Sequence, residues 1–246
     1  MDARTLDIVP LTTTKALAQV HEEVLVPSFP AKEIEPLDEL ARELGRSVFG
    51  VAAVGDDGAL HGAALAHWSA RTGVLLLAHL AVAPGGRGGG VGGLLLEGAL
   101  DRWCDELDPW LVLAEVEDPQ RHGGGDPAHG DPAKRLRFYG KHGARRLPFP
   151  YFQPDVGGGR VDDVLLMALR VADDEREGDD WMLPAIPLHQ FLVDQLTHAE
   201  GQVRDDAQTR ALLEAAPSSG RVILHADGTS TIKVKKSKKD KKKRTE

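Results

Sequence analysis

The sequence predicts an α/β domain of the α+β type over residues 1–172, an α-rich appendage over 173–232 and a disordered Lys-rich tail over 233–246. Three observations carry that division. Apolar runs of strand length alternate with segments of helical spacing up to Val171, in the order β α α β β β α β α β β. A charged stretch, 173–180, breaks the pattern, and two helical segments and a hairpin follow it. Finally, nine Lys and Arg stand from Lys233 onward against Asp240 and Glu246. That tail carries +7, so residues 1–232 carry −15 where the whole chain carries −8.

Each element has a local reason. Residues 6–11 (LDIVPL) read as a first strand, and 12–25 as a helix opened by a Thr cap, with Ala16, Val20 and Val24 on one face. Pro27 and Pro30 end it. A second helix is expected over 37–44, stopped by Gly45. Residues 47–70 divide at Asp56-Asp57-Gly58 into a hairpin. The near-continuous apolar run 74–82 predicts a strand buried on both faces, closed by Pro84. Helical spacing returns at 91, 94, 95, 99 and 103, and 110–116 reads as the next strand. Asp131 and Pro132 form an N-cap and first-turn pair for a helix that Gly143 terminates. Strands over 145–152 and 161–171 complete the sheet. Helices over 187–200 and 204–216 and a hairpin over 221–234 form the appendage.

With 41% apolar and 28% charged residues, the chain can bury an ordinary globular core. The single cysteine, Cys104, excludes an intramolecular disulfide framework and a Cys-rich zinc site, and reads as a small buried helix residue. The N-terminal stretch has no apolar signal core and no run approaches a membrane span, so a cytoplasmic protein with no membrane partner is expected. The acidic body argues against nucleic acid as a partner. The tail has no aromatic residues on which bases could stack, so weak electrostatic contact is all it offers beyond solubility.

The most informative stretch is VLLLAHLAVAPGGRGGGVGGLL, residues 74–95, with seven glycines around Arg87. Glycine weakens strands and helices alike, so a run of them between a strand and a helix needs another reason. Unpaired amides and the positive dipole end make a helix N-terminus an anion site, and glycines let the backbone reach a pyrophosphate without Cβ collisions. Gly88-x-Gly90-x-x-Gly93 satisfies the dinucleotide fingerprint, with Glu115, Glu117 and Asp118 at about the asked distance of 20 residues. The context disagrees, because the further βαβ units of a dinucleotide domain do not follow. A phosphate loop of the Walker type fails for want of a Lys-Ser or Lys-Thr.

Arg87, Gly90 and Gly92 instead fill the Arg/Gln-x-x-Gly-x-Gly/Ala signature after a strand ending Leu-Ala-Val-Ala-Pro84. There, and again at Arg137-Phe-Tyr-Gly-Lys-His-Gly-Ala144, the chain resembles the GNAT superfamily of acyl-CoA N-acyltransferases, over roughly residues 5–171. The resemblance implies a mixed, mostly antiparallel sheet with splayed parallel strands 4 and 5 and helices on both faces. It implies acetyl-CoA as acyl donor, held by the backbone of Leu80, Ala81 and Val82 and by Arg87, Gly88, Gly89, Gly90, Val91, Gly92 and Gly93. It further implies direct transfer to a primary amine, on a small molecule or a protein, and is compatible with a homodimer.

For that chemistry Tyr139 is the candidate general acid, a phenol near pKa 10 facing a leaving thiolate of about 8.5. The base is open among His79, Glu115 and Glu117; the two glutamates alternate on one strand and so face one side of the sheet. Trp68, Tyr151 and Phe152 stand where an acceptor side is built, and read as packing aromatics. The family's cofactor-contacting Asn is displaced by an insertion at 118–131. His122, Asp126, His129 and Asp131 within it match no metal-site spacing, so no metal is expected and the segment reads as a lid. The competing class is a non-catalytic acyl-CoA or dinucleotide-binding module that docks on an acidic partner through its tail.

Overall fold

The computed structural model describes residues 6–84, 89–121 and 130–234. Leu6–Pro10 (β1) pairs antiparallel with Val48–Gly55 (β2), and β2 forms the expected hairpin with Leu60–Ser69 (β3). Its turn places Gly58 at φ +77°, a conformation that favours glycine. Val74–Val82 (β4) pairs antiparallel with β3, and Leu111–Glu117 (β5) runs parallel to β4. Arg145–Arg146 (β6) and Val164–Val171 (β7) close a seven-stranded sheet in the order β1-β2-β3-β4-β5-β7-β6. The expected mixed, mostly antiparallel architecture is therefore present.

Helices cover both faces. On one face lie Val91–Leu107 (α3), entered through Gly90, and Pro132–Lys141 (α4). Leu95, Ala99 and Trp103 of α3 are buried against Val51, Ala64, Leu75 and Val112. The Asp131 side chain caps α4 by accepting from the Ala133 amide at 2.9 Å, and Gly143 at φ +81° ends it. On the other face Thr14–Val20 (α1) and Leu37–Glu43 (α2) cover β2, β3 and the end of β4, through Leu17, Val20, Leu40, Ala63 and Leu65. The chain after α1 widens over His21–Leu25, where the Val26 amide reaches back to the His21 carbonyl.

The sequence reading departs from the structure chiefly after residue 145. Only two residues of 145–152 pair as a strand, because Pro148 and Pro150 lack the amide hydrogens a ladder needs. Beyond β7 the segment holds a second, four-stranded antiparallel sheet of Arg176–Glu177 (β8), Asp180–Pro184 (β9), Arg221–Leu224 (β10) and Ser230–Lys233 (β11). The hairpin β10–β11 was expected; β8 and β9 were not, being short and bounded by charge and proline. Ala185–Glu200 (α5) starts two residues ahead of the expected Pro187, which sits in the first turn where no helical amide bond is lost. Ala207–Ala215 (α6) follows.

Trp181, Leu183, Leu188, Phe191 and Leu196 share one core with Val74, Leu76, Leu111 and Leu113 of the large sheet. The C-terminal segment thus packs over β4, β5 and β7 on the face that α1 and α2 cover elsewhere. Two caps on one sheet face leave a gap between them. Among the described residues no helix is long and apolar enough to cross a membrane.

Candidate active site

The gap lies where β4 and β5 part. Their parallel pairing runs from Val74↔Leu111 to Leu77↔Ala114 and stops. Beyond it, β4 pairs with β3 and β5 with β7. The cause is a bulge: Leu65 faces His79 while Ala66 faces Leu77, so Ala78 is the extra residue in β4. The bulge also exchanges the faces. Before it, the odd-numbered Leu75 and Leu77 pack toward α3; after it, the even-numbered Leu80 and Val82 do so, and His79 turns to the opposite face.

At the end of the splay the chain enters α3. Gly90 takes φ +81° as N-cap, and among the described residues no side chain caps the first amides. Gly92 lies beside Val82 and Phe138: a Cβ there would stand 3.6 Å from Val82 Cγ2 and 3.8 Å from Phe138 Cε2. Leu80, Ala81, Val82, Gly89, Gly90, Val91, Gly92 and Gly93 are thus gathered around one helix start and one strand end. Arg87 and Gly88 of the same expected set lie outside the described residues, as do His122, Asp126 and His129 and the tail from Lys235.

On the open face the side chains form one cluster. Glu115 accepts a short hydrogen bond from the Tyr151 hydroxyl. Burial raises the Glu115 carboxyl to about 7 against the Tyr151 bond and the two histidines, with Glu35 adding to the rise. Glu35 stands between the histidines: His79 Nε2 lies 3.0 Å from its Oε2 and His67 Nε2 2.9 Å from its Oε1. Burial disfavours the Glu35 charge, yet the two imidazoles outweigh it and hold the carboxyl well below its usual range. His67 answers in kind: burial works against its charged form, Glu35 overrides that, and its pKa is raised. His79 is 3% exposed, edge-on to Phe29, and its Nδ1 has no partner among the described residues.

The other candidates separate by face. Glu117 bonds Arg135 Nη1 of α4 at 2.9 Å. Tyr139, also from α4, lies on the α3 side of the sheet among Val91, Val116 and Met167. Burial pushes its phenol up to about 12, against a small opposing effect of Arg135. Trp68 packs partly buried on that same side, and Phe152 is buried beneath the Arg160 guanidinium.

A cavity of about 380 Å³ opens onto Glu115, Glu35, His67, Leu76 and Ala78. Its walls are Glu39 and Glu43 of α2 on one side and Gln195, His198 and Ala199 of α5 on the other. A smaller cavity of about 50 Å³ reaches from Ala78 and Glu115 to His79, Glu117 and Arg135, at the splay itself. Glu35, His67 and Gln195 were not singled out by sequence reasoning. Glu35 falls in a stretch without periodicity ahead of Pro36, and nothing local ties it to strands 30 to 80 residues away.

No protein-family model matches the chain, and no curated protein matches it. Solved structures do. A dodecameric spermidine N-acetyltransferase from Vibrio cholerae aligns at a TM-score of 0.50 and 16% identity, over 67% of this chain and 93% of that one. A GNAT family acetyltransferase from Elizabethkingia anophelis with acetyl-CoA bound gives 0.46 and 17%, over 68% and 99%. The ribosomal-protein-S18-alanine N-acetyltransferase from Escherichia coli gives 0.47 and 17%, over 70% and 99%. The first of these likenesses shows a shared fold, that of the N-acetyltransferases.

Proposed function

We propose that the protein is an acetyl-CoA-dependent N-acetyltransferase that passes the acyl group directly to a primary amine in a ternary complex. The single observation that carries the reading is the position of Glu115: a carboxyl raised to about 7, at the parting of β4 and β5, opening into a cavity. A base needs a pKa near working pH, and few carboxyls have one. A mere binding module has no use for it.

The residues divide the work as follows. The amides at the start of α3, uncapped among the described residues, and the glycines around them suit a pyrophosphate, and the edge of β4 from Leu80 to Val82, which β5 leaves unpaired, suits an amide-bearing arm. Acetyl-CoA has both, and supplies an activated thioester carbonyl. Glu115, directly or through one water, takes a proton from the acceptor ammonium. The freed amine forms its N–C bond to the carbonyl carbon, the C–S bond breaks with its electron pair leaving on sulfur, and the nitrogen, cationic after the attack, gives its second proton to water as the amide forms. Tyr139, with a phenol near 12, is too weak an acid to surrender its proton fully to a thiolate of about 8.5. It donates a hydrogen bond to the sulfur, and solvent completes the protonation. Glu115 returns its proton to water. Glu117 is engaged by Arg135 and His79 by Glu35, so neither carries the base role in this reading.

The acceptor is a cationic amine, since Glu39 and Glu43 line the cavity and, among the described residues, neither Lys nor Arg does. Residues 1–172 form the catalytic unit, and a cytoplasmic location belongs to the same proposal. A screen of amines with acetyl-CoA, following free thiol, tests it. Amine-dependent thiol release is expected; saturable acetyl-CoA binding without release for any amine would leave only a binding module.

A further inference from the structure

The C-terminal segment lies beyond the resemblance, yet the last turn of α5 forms one wall of the cavity. That turn is held by a buried ionic clamp. Arg160, 9% exposed at its side chain, grips Glu200, 0% exposed, with Nε to Oε1 at 2.6 Å and Nη2 to Oε2 at 2.7 Å. The same guanidinium reaches Asp206 and Thr209 at the start of α6 and lies 4.3 Å above the Phe152 ring. Arg160 belongs to the loop between β6 and β7, pinched at its base where Gln153 and Val161 exchange amide hydrogen bonds. Gln153, Pro154, Val156 and Gly157 of that loop also line the cavity. Asp155 ties the loop in turn, accepting from the Gly157 and Gly159 amides at 2.8 and 2.9 Å and donating its own amide to Glu200.

Two walls of the cavity are therefore fixed to each other, chiefly through the buried Arg160 fork, with the more exposed Arg204 bridging Glu200 and Asp155 beside it. In the α5 wall, the Gln195 Nε2 is buried and has no partner among the described residues. A buried amide left unpaired is costly, and an oxygen on a bound acceptor would satisfy it.

We infer that residues 173–232 supply the specificity wall of the acceptor site, with Gln195 and Ala199 facing the acceptor and Arg160 as the positioning residue that sets the distance across it. The inference rests on the acetyltransferase reading above. Arg160 touches neither the splay nor the start of α3, so its effect falls on the acceptor alone. A lysine keeps the charge but not the bidentate geometry.

Three enzymes test it: the parent, Arg160→Lys and Ala199→Leu, with putrescine and benzylamine as acceptors and thiol release as the readout. The expected result for Arg160→Lys is an acceptor KM raised about tenfold or more, with acetyl-CoA KM unchanged. Ala199→Leu leaves the clamp intact and narrows the cavity, so it should penalise the bulkier benzylamine more than putrescine. Equal rises in both KM values for Arg160→Lys, or unchanged acceptor selectivity for Ala199→Leu, would overturn the inference while leaving the activity standing. No thiol release by the parent with either amine or any other would overturn the acetyltransferase reading, and this inference with it.

Discussion

The Tyr151 hydroxyl donates to Glu115 Oε1, and so a phenol from the extended chain after β6 restrains the carboxylate at the splay. The bond favours the ionised carboxylate, partly offsetting the burial that raises it to about 7. Glu115 in turn lifts the Tyr151 phenol well above its usual range, after the larger effect of burial, so the donor stays protonated. Removing the hydroxyl removes one of the few influences that lower Glu115. In Tyr151→Phe the acidic limb of the kcat/KM profile should therefore move above pH 7, with a modest loss at the plateau. A pH–rate series in the two enzymes checks this; an unmoved limb would detach Tyr151 from the titrating group.

Glu115 also links activity to stability. The native state holds its proton up to about pH 7, whereas an unfolded chain releases it near the ordinary 4.5. Between those values the native state binds more protons, so stability falls as pH rises through the window and levels off above it. The gap is worth about 3 kcal/mol at most. Glu115→Gln should then melt higher than the parent at about pH 8, with the difference shrinking toward about pH 5. Its kcat should fall by about a hundredfold or more, and the limb near 7 should vanish. Urea titrations at the two pH values measure the first effect and rate profiles the second. A variant that is less stable at alkaline pH would contradict a buried, reluctantly charged carboxylate.

Gly92 separates ligand approach from protein packing better than Gly90 does. Gly90 sits at φ +81°, so any side chain strains the backbone before a ligand arrives. A Cβ at Gly92 meets Val82 and Phe138 at ordinary contact distance. Gly92→Ala should be neutral or stabilising and keep acetyl-CoA affinity, since alanine favours helix and the signature admits it there, whereas the bulkier Gly92→Val should lower that affinity about tenfold or more. Calorimetry and a melting curve on one sample give both. Unchanged affinity in Gly92→Val would move the pyrophosphate away from the helix start.

How far the sequence led depends on the range of the interactions involved. The hairpin turn at Asp56-Asp57-Gly58, the span of β4, the Asp131-Pro132 start of α4 and the Gly143 stop are set by neighbours along the chain, and all stand where expected. The bulge at Ala78 was invisible, because an apolar run carries no mark of which residue slips out of register. That slip puts His79 on the same face as Glu115, so the shared cluster was unreadable. Glu35 illustrates the same limit: its two imidazole partners lie 32 and 44 residues on, joined to it by tertiary structure alone. In β8 and β9 the signal was too short, at two and five residues, to outweigh the flanking charge and proline.

Tyr139 gives the last and most discriminating prediction. The sequence suggests a general acid near its ordinary pKa, whose ionisation would shape the alkaline limb. Burial on the α3 side pushes it up to about 12, so it stays protonated across the range in which the enzyme folds. Full proton transfer to a thiolate of about 8.5 would be uphill by roughly 5 kcal/mol. A hydrogen bond that strengthens as charge grows on sulfur has no such penalty. Tyr139→Phe should therefore lower kcat by about ten- to a hundredfold, leave acetyl-CoA affinity and the melting temperature almost unchanged, and not alter the shape of the profile below about pH 11. Poorer leaving groups should suffer more: an acyl donor with a more basic thiol would show a larger ratio between the two enzymes. A ratio that is the same for every thiol, with a melting temperature several degrees lower, would make Tyr139 a packing residue that never meets the sulfur.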